Sequence, residues 1–418
     1  RYVDNTPEPE PEDVQAHLIG GVPETEVESL SPEFEKFGVS PDLLFEPERP
    51  GYLAFRAEIG QRSDIRDAVE ADEHLRAKVD EHHAALESWW TVASEDFAQL
   101  RESRNGGKKM PDVRQELLSS LKERLVPLGV LDEFKSAGVF VNWWQQIRFD
   151  LKTIVSLGWH HTLIPDDYLI AEFFQAEADA IETVEARIAE LQADLAEAVE
   201  TAQEVASYEP DEDEKVTATS IKKALKELIE DLKDTKGESG KRELKALKQQ
   251  DHAIKALEKA IKEAKADLKE KMSDLEQRLL LKRLGGEEFT AETKALIEQV
   301  DARLADLDPE DKSDKRKINA LTKDRDTLEA RLIRTAQMLG DIGGQLTEEQ
   351  ARELILRKIY DIANAELNRY LAAENRSLIY AIDNLYRKYA VSNCELENAR
   401  SASLQSLSGF LSSLEYVP

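Results

Sequence analysis

The residue types best suited to metal chemistry in this chain are two pairs of adjacent histidines, His82 with His83 and His160 with His161. Consecutive residues of a helix point to different faces, so neither pair can converge on one ion by itself. Neither pair stands in a His-Glu-x-x-His spacing or near a cysteine that would complete a zinc site. We interpret all four as ordinary packing or surface histidines and predict no metal site.

A glycine and lysine segment at 106–109, Gly-Gly-Lys-Lys, has the composition of a phosphate-binding loop. It lacks the GxxxxGK[ST] frame of nucleotide-binding loops, and no predicted strand precedes it. Lys108 and Lys109 are candidates for a phosphate or DNA contact, and a plain solvent loop is the stronger alternative.

No other group of residues has the spacing of a catalytic site. The GxSxG and GxGxxG motifs are absent, and no nucleophile stands beside a base. Trp143 and Trp144 are interpreted as core, since basic residues do not interleave with them as in a base-stacking surface. Acidic residues lie at helix-surface spacing, for example Glu258 four residues before Lys262. We expect no enzymatic activity and no cofactor in this chain alone.

Composition sets wider limits. The 418 residues are 41% apolar and 34% charged, which is typical of an extended helical protein. The net charge of −29 argues against nucleic-acid binding by the surface as a whole, although local basic patches remain compatible with it. The single cysteine, Cys394, cannot form an internal disulfide, and no stretch approaches the roughly 20 apolar residues of a membrane span. We expect a cytoplasmic protein and, because the chain begins at Arg1 without a signal segment, part of a longer one.

The element that organises the chain is a predicted helix at 241–284, with apolar residues at coiled-coil spacing. Its best partner is 165–208, which holds twelve acidic residues and one basic residue, whereas 241–284 holds thirteen basic and eight acidic ones. Opposite charges favour an antiparallel hairpin that reverses through 209–240, where a short helix is predicted. The predicted seam residues are Ile181, Val184, Ile188, Leu191, Leu195, Leu247, Ile254, Leu257, Ile261, Leu268 and Leu275.

The predicted fold class is mostly α. We divide the chain into a proline-rich acidic segment that is wrapped or flexible, a helical domain, the coiled-coil hairpin, a second helical pair and C-terminal helices, at 1–60, 61–163, 164–290, 291–345 and 346–418. Thr347 and Gln350 form a predicted capping box at the start of the last region. Its final helix carries a bare apolar stripe among serines, formed by Leu404, Leu407, Leu411 and Leu414.

Three stretches carry a likeness to a known family. They are RYVDNTPEPEPEDVQAHLIGGVPETEV at the start, LIPDDYLIAEFFQAEADAIETVEARIAELQADL at 163–195, and LTEEQARELILRKIYDIANAELNRYL with LYRKYAVSNCELENARSASLQSLSGFLSSLEYV near the end. Together they resemble the C-terminal half of the methylation (M) subunit of type I restriction-modification systems, which is related to adenine-specific N6 DNA methyltransferases. The likeness spans nearly the whole chain and rests on helical stretches.

The resemblance implies a parent enzyme that flips adenine out of duplex DNA and methylates N6 with S-adenosylmethionine. The family's Asn-Pro-Pro-aromatic motif and glycine-rich cofactor motif are absent here, so no catalytic or cofactor residue can be carried over. The implied partners are the specificity subunit, the restriction subunit of the larger assembly, and DNA through the complex. We place the contact with the specificity subunit at Leu404, Leu407, Leu411 and Leu414. The alternative is a free-standing coiled-coil scaffold unrelated to DNA.

Overall fold

A computed structural model describes residues 13–98, 110–208, 216–233, 237–308, 314–391 and 393–413. Within these ranges the chain forms fifteen α-helices and one small three-stranded sheet, so the predicted mostly α class is confirmed. The chain divides into two compact units, the first made of 1–158 and 355–418 and the second of 159–354. The second unit is thus inserted, in sequence, into the first.

The first unit begins with short elements because prolines recur through the first 50 residues and interrupt regular structure. Its helices are α1 (Val14–Ile19), α2 (Glu24–Ser29) and α3 (Ser31–Phe37), and its strands are β1 (Val22–Pro23), β2 (Phe45–Arg49) and β3 (Tyr52–Phe55). The antiparallel sheet has the order β1-β3-β2, with an irregularity after Pro47 and a tight turn at Gly51, whose φ is 81°. This sheet was not expected from the proline-rich sequence of the segment.

The longer helices of the first unit are α4 (Arg62–Ala71), α5 (Glu73–Ala98), α6 (Met110–Leu125), α7 (Glu133–Leu157), the C-terminal part of α14 (Glu348–Tyr389), and α15 (Asn393–Ser413). Helices α5, α7 and α14 contribute the side chains of an aromatic core. Trp143 of α7 packs edge-on against Trp89 of α5, with 5.4 Å between ring centroids, and its indole N–H donates to the Ile359 carbonyl of α14 at 2.9 Å. Trp143 and Trp144 are both buried.

The described residues of the second unit form six complete α-helices and the first turns of α14. The six complete helices are α8 (Asp166–Phe173), α9 (Gln175–Ala206), α10 (Ala218–Asp231), α11 (Glu238–Leu284), α12 (Glu287–Ala305) and α13 (Lys315–Asp341). Its longest helix, α11, packs along α9, and α12 packs along α13.

Contacts at the two ends of α9 establish that it runs antiparallel to α11. Arg278 of α11 pairs with Glu177 near the start of α9, whereas Leu247 and Ile254 of α11 cluster with Ala202 near its end. The predicted seam residues are buried or half-buried: Ile181, Val184, Ile188, Leu191 and Leu195 on α9, and Leu247, Ile254, Leu257, Ile261, Leu268 and Leu275 on α11.

The short helix α10 packs against both α9 and α11 and contributes to the apolar cluster between them. Ile221 and Leu225 of α10 are fully buried with Leu247 and Ile254 of α11. The spacing of Glu258 and Lys262 favours a pair within α11, but the structure shows a different partner. Both carboxylate oxygens of Glu258 accept from Lys222 of α10 at 2.6 Å. The local rule fails here because a helix adjacent in space offers a better-placed cation.

A buried lysine joins the C-terminal end of α11 to the loop after α13. Lys282 donates from Nζ to the carbonyls of Ile342 and Gly344 at 3.1 and 3.3 Å, and its ammonium lies 4.2 Å from the Phe173 ring centroid. Burial lowers the pKa of Lys282, since no carboxylate accompanies the charge. This lysine therefore satisfies carbonyl groups at a helix end that would otherwise be left without donors.

Candidate assembly surface

The last helix, α15, presents the most exposed apolar side chains of the first unit's C-terminal region. Every residue from 396 to 410 is exposed, and Leu404, Leu407 and Phe410 are exposed by 55, 54 and 70%. From Ser401 to Ser413 the helix has no charged residue, so its surface offers leucine, phenylalanine, serine and glutamine. Helix α15 approaches α1, but this approach leaves the apolar side chains open to solvent. Such a face is typical of an interaction surface.

The helix that precedes α15 is fixed firmly in the first unit. Along α14, an apolar row that includes Ile355, Ile359, Leu367 and Leu378 is fully or almost fully buried, as expected for a helix with apolar residues three and four apart. Glu374 of α14 receives two cations, Lys135 at 2.7 Å and Lys36 at 3.4 Å. These contacts hold α14 to α7 and α3.

The last two turns of α14 are bound to the N-terminal elements of the chain. Arg62 donates from Nε and Nη2 to the two oxygens of Asp383 at 2.5 Å each, and the Tyr386 hydroxyl donates to the Gly60 carbonyl at 2.9 Å. Glu26 of α2 accepts from both Lys388, at 2.9 Å, and the Tyr389 hydroxyl. We call this set of contacts the terminal clamp.

Contacts within the terminal clamp shift the pKa values of Asp383 and Tyr389. The hydrogen bonds from Arg62 lower the pKa of Asp383, because they favour the charged carboxylate. Burial and the hydrogen bond to Glu26 raise the pKa of Tyr389 to about 12, so its hydroxyl stays protonated as a donor near neutral pH. The base of α15 is therefore held by interactions that are fully formed at pH 7.

Three of the four leucines predicted to contact the specificity subunit lie in α15. Leu404 and Leu407 lie on the exposed face of α15, and Leu411 lies in that helix without a described side chain. Leu414 falls outside the described residues, as do Lys108 and Lys109. The prediction omitted Leu396 and Phe410, which are also exposed on α15. Counting every large apolar residue of the helix, rather than leucines at strict spacing, would have included them.

Comparison of the chain with protein-family models, with curated proteins and with solved structures gives no match.

A groove beside the terminal clamp is lined by charged side chains that already interact with other residues of the fold. Its volume is about 820 Å³, and the charged residues that line it are Asp13, Glu26 and Lys388. Asp13 already accepts from the amides of Gln15 and Ala16 and from the Tyr52 hydroxyl, and Glu26 is occupied by the clamp. The carboxylates of this groove serve the fold, and we assign no cofactor to it.

The two histidine pairs lie in different environments. His82 is buried and uses Nδ1 to contact the Lys78 carbonyl at 2.7 Å, and His83 contacts the Asn364 side chain at 2.8 Å. The rings of His160 and His161 lie 4.2 Å apart. Within the described parts of the chain, no group of three or more His, Cys, Asp or Glu side chains is arranged to hold a metal ion. None of the described helices is both long enough and apolar enough to cross a membrane.

Proposed function

We propose that this chain is the C-terminal helical assembly region of the methylation subunit of a type I restriction-modification system, and that α15 docks onto the helical spacer of the specificity subunit. The observation that supports this most directly is the exposure of Leu404, Leu407 and Phe410 on a helix held at its base by the terminal clamp. The resemblance of the last 73 or so residues to the C-terminal helices of that family supports the choice of partner.

The composition of α15 explains why it needs a partner. Serine and glycine are poor helix formers, and a helix of this length is marginal in water unless one face is buried. Each large apolar side chain removed from water contributes about 1.5–3 kcal/mol, so three such residues together contribute about 4.5–9 kcal/mol, which corresponds to dissociation constants from about millimolar to about micromolar. The lack of charge between Ser401 and Ser413 suits a helix-to-helix contact with an apolar groove.

In this proposal the chemistry belongs to a domain that this chain does not contain. That domain would bind S-adenosylmethionine and methylate adenine N6, and DNA and the restriction subunit would meet the chain within the complex. The role of the present chain is to connect the methylating domain to the subunit that reads the sequence.

A free-standing helical scaffold is the second candidate. It is favoured by α9, α10 and α11, whose shared apolar cluster makes a stable rod without any nucleic-acid enzyme attached. The coding sequence upstream of Arg1 distinguishes the two, because the leading proposal requires a methyltransferase domain there.

The direct test is capture of the purified chain by the cognate specificity subunit. We expect Leu404→Asp with Leu407→Asp to weaken capture about a hundredfold or more, because two apolar contacts are replaced by charges. A matched control, Leu157→Asp with Ile333→Asp, makes the same kind of change at two exposed residues outside α15 and should bind normally. Circular dichroism should show both variants folded, and undiminished capture of the α15 variant would refute the proposed surface.

A further inference from the structure

A second stripe of side chains follows α11 with the period of its apolar stripe, and it is made of lysines and one histidine. Starting at Lys241, the positions advance alternately by four and three residues as far as Lys262; Ala266 occupies the next position, and Lys269 follows three residues later. All eight side chains are exposed. Because α11 turns once in 3.6 residues, residues with this spacing share one side of the helix. We call this set the lysine stripe: Lys241, Lys245, Lys248, His252, Lys255, Lys259, Lys262 and Lys269.

The lysine stripe lies on the side of α11 that is turned away from its neighbours. Leu247 and Ile254 are buried in the cluster with α9 and α10, and the residue after each of them, Lys248 and Lys255, is exposed. The same order recurs at the buried Ile261 and the exposed Lys262. The packing of α9 and α10 therefore leaves the stripe open to solvent.

Most of this positive charge is not neutralised within the chain. Lys255 pairs with Asp251 at 2.7 Å and Lys259 with Glu263 at 3.7 Å, both as exposed pairs within one helix that contribute little. The remaining five lysines make no ion pair with any residue in the described ranges: Lys241, Lys245, Lys248, Lys262 and Lys269.

The net charge of the chain does not cancel the stripe. The acidic helix α9 lies on the opposite side of α11, and a helix with its side chains is about 10–12 Å across. That separation exceeds the Debye length of about 8 Å at physiological ionic strength. A ligand at the stripe therefore meets seven lysines, which extend over about 42 Å at 1.5 Å per residue, together with the exposed carboxylates of Glu263 and Glu270 on the same helix, so the local charge is positive.

We propose that the lysine stripe binds the phosphate backbone of duplex nucleic acid without reading its sequence. Lysine is a compact, hydrated charge suited to phosphate, and the stripe contains no arginine for bidentate recognition of a base. No large apolar side chain in the described part of α11 before Met272 is exposed. The centre of a protein interface needs such residues and is depleted in lysine, so a protein partner fits poorly.

A single strand fits less well than a duplex for a related reason. Binding of single strands relies on aromatic side chains on which bases stack, and α11 has no aromatic residue besides His252. The lysine stripe, about 42 Å long, would extend along about 12 base pairs of duplex. Because α11 is straight and the DNA strands wind around the duplex, the lysines would contact phosphates only where a strand passes close to α11, at roughly three to five positions. This inference is independent of the proposed function, since it requires neither α15 nor a specificity subunit.

The test uses the full chain and a fluorescein-labelled 24-base-pair duplex of mixed sequence, with anisotropy measured between 25 and 200 mM NaCl. The stripe variant carries Lys248→Gln, Lys255→Gln, Lys262→Gln and Lys269→Gln. The matched control carries Lys223→Gln, Lys294→Gln, Lys315→Gln and Lys323→Gln, which removes the same charge from exposed positions on α10, α12 and α13. Lysine and glutamine have similar helix propensities, so circular dichroism should be unchanged in both.

We expect the unmodified chain and the control to bind duplexes of unrelated sequence equally and with a steep dependence on salt. The stripe variant should bind roughly tenfold or more weakly at low salt, and the slope of log K against log salt should fall by about one for each phosphate that the variant no longer neutralises. Three results would overturn the proposal: no binding by the unmodified chain at 25 mM NaCl, equal weakening of both variants, or stronger competition by poly-glutamate or single-stranded DNA than by unlabelled duplex. Capture by a specificity subunit should be the same for the stripe variant, so this test and that of α15 can fail separately.

Discussion

Arg62 and Asp383 lie 321 positions apart in the sequence and form a bidentate ion pair in the first unit. The pair joins the first residue of α4 to the C-terminal part of α14, next to the contacts of Glu26 with Lys388 and Tyr389. It thereby ties the beginning of the described chain to the helix from which α15 extends.

The contribution of this pair should depend on pH. Because the folded-state pKa of Asp383 is lowered, its stabilisation is present above the ordinary aspartate value of 3.8 and is lost as pH falls through the folded-state pKa. We expect Arg62→Gln to lower the thermal midpoint slightly at pH 7, and the difference from the unmodified chain to shrink as pH falls below 3.8 and the Asp383 carboxylate becomes protonated. Arg66→Gln, which removes only a pair with Glu70 within α4, serves as the control. A difference that persisted unchanged at acid pH would contradict the role given to Asp383.

A buried histidine gives the first unit a second dependence on pH. His82 is fully buried, its Nε2 has no hydrogen-bond partner among the residues that the structure describes, and burial lowers its pKa below the ordinary 6.5. The unfolded chain therefore binds the proton more readily, so stability should fall as pH decreases below about 6.5. Urea denaturation at pH 7.5 and 5.5 should show this loss, and His82→Gln should reduce it. Equal losses in both chains would assign the effect to other groups, of which His161, with the same direction of shift, is the first to test.

The apolar contact between α9 and α11 should be sensitive to its buried isoleucines. Ile254 is fully buried and Ile261 nearly so, and replacing both with Asp places charges among apolar residues at a cost of several kcal/mol. We expect limited proteolysis to cut within 175–284 sooner, while the tryptophan fluorescence of the first unit stays unchanged. The exposed neighbours Lys255 and Lys262 provide the control, since Asp at those positions should leave the proteolysis pattern as it was.

A close approach of two helices makes Gly138 intolerant of a side chain. A Cβ at this position of α7 would overlap the hydroxyl and ring of Tyr370 on α14, and that hydroxyl also accepts from Asn142 at 3.0 Å. We expect Gly138→Ala to destabilise the chain by about 1–3 kcal/mol through overpacking. Adding Tyr370→Leu should recover part of this stability, and purely additive effects of the two changes would place the strain elsewhere.

The features that sequence predicts are those set by neighbouring residues. The mostly α class follows from apolar residues three and four apart, and the predicted capping box is present, with the Gln350 amide donating to Thr347 Oγ1 at 3.2 Å and the Thr347 amide to Gln350 Oε1 at 3.1 Å. Asp267 and Lys271, four residues apart on α11, form an ion pair at 3.9 Å, as their spacing favours. Each of these interactions spans at most four residues, so local spacing is sufficient to predict it.

The features that sequence reasoning missed depend on distant partners. The preference of Glu258 for Lys222 requires α10 to fold back onto α11, and the pairing of β1 with β3 requires Val22 to meet Leu53. The terminal clamp joins residues more than 300 positions apart. The spacing of apolar residues along the chain carries no information about contacts between residues so far apart in sequence. At the candidate surface, the leucine spacing identified Leu404 and Leu407, but their exposure depends on where the neighbouring helices lie, which spacing alone does not determine.

The division of the first unit between the two ends of the chain has a consequence for its synthesis. Residues 1–158 leave the ribosome first, but Ile359, which accepts the indole N–H of Trp143, follows only after the roughly 200 residues of the second unit. At about 5–20 residues per second, Trp143 and Trp90, whose ring lies 5.9 Å from that of Tyr360, wait roughly 10–40 s for α14. The second unit is continuous and can fold during that interval, so the nascent first unit is the part of this protein that we expect chaperones to protect.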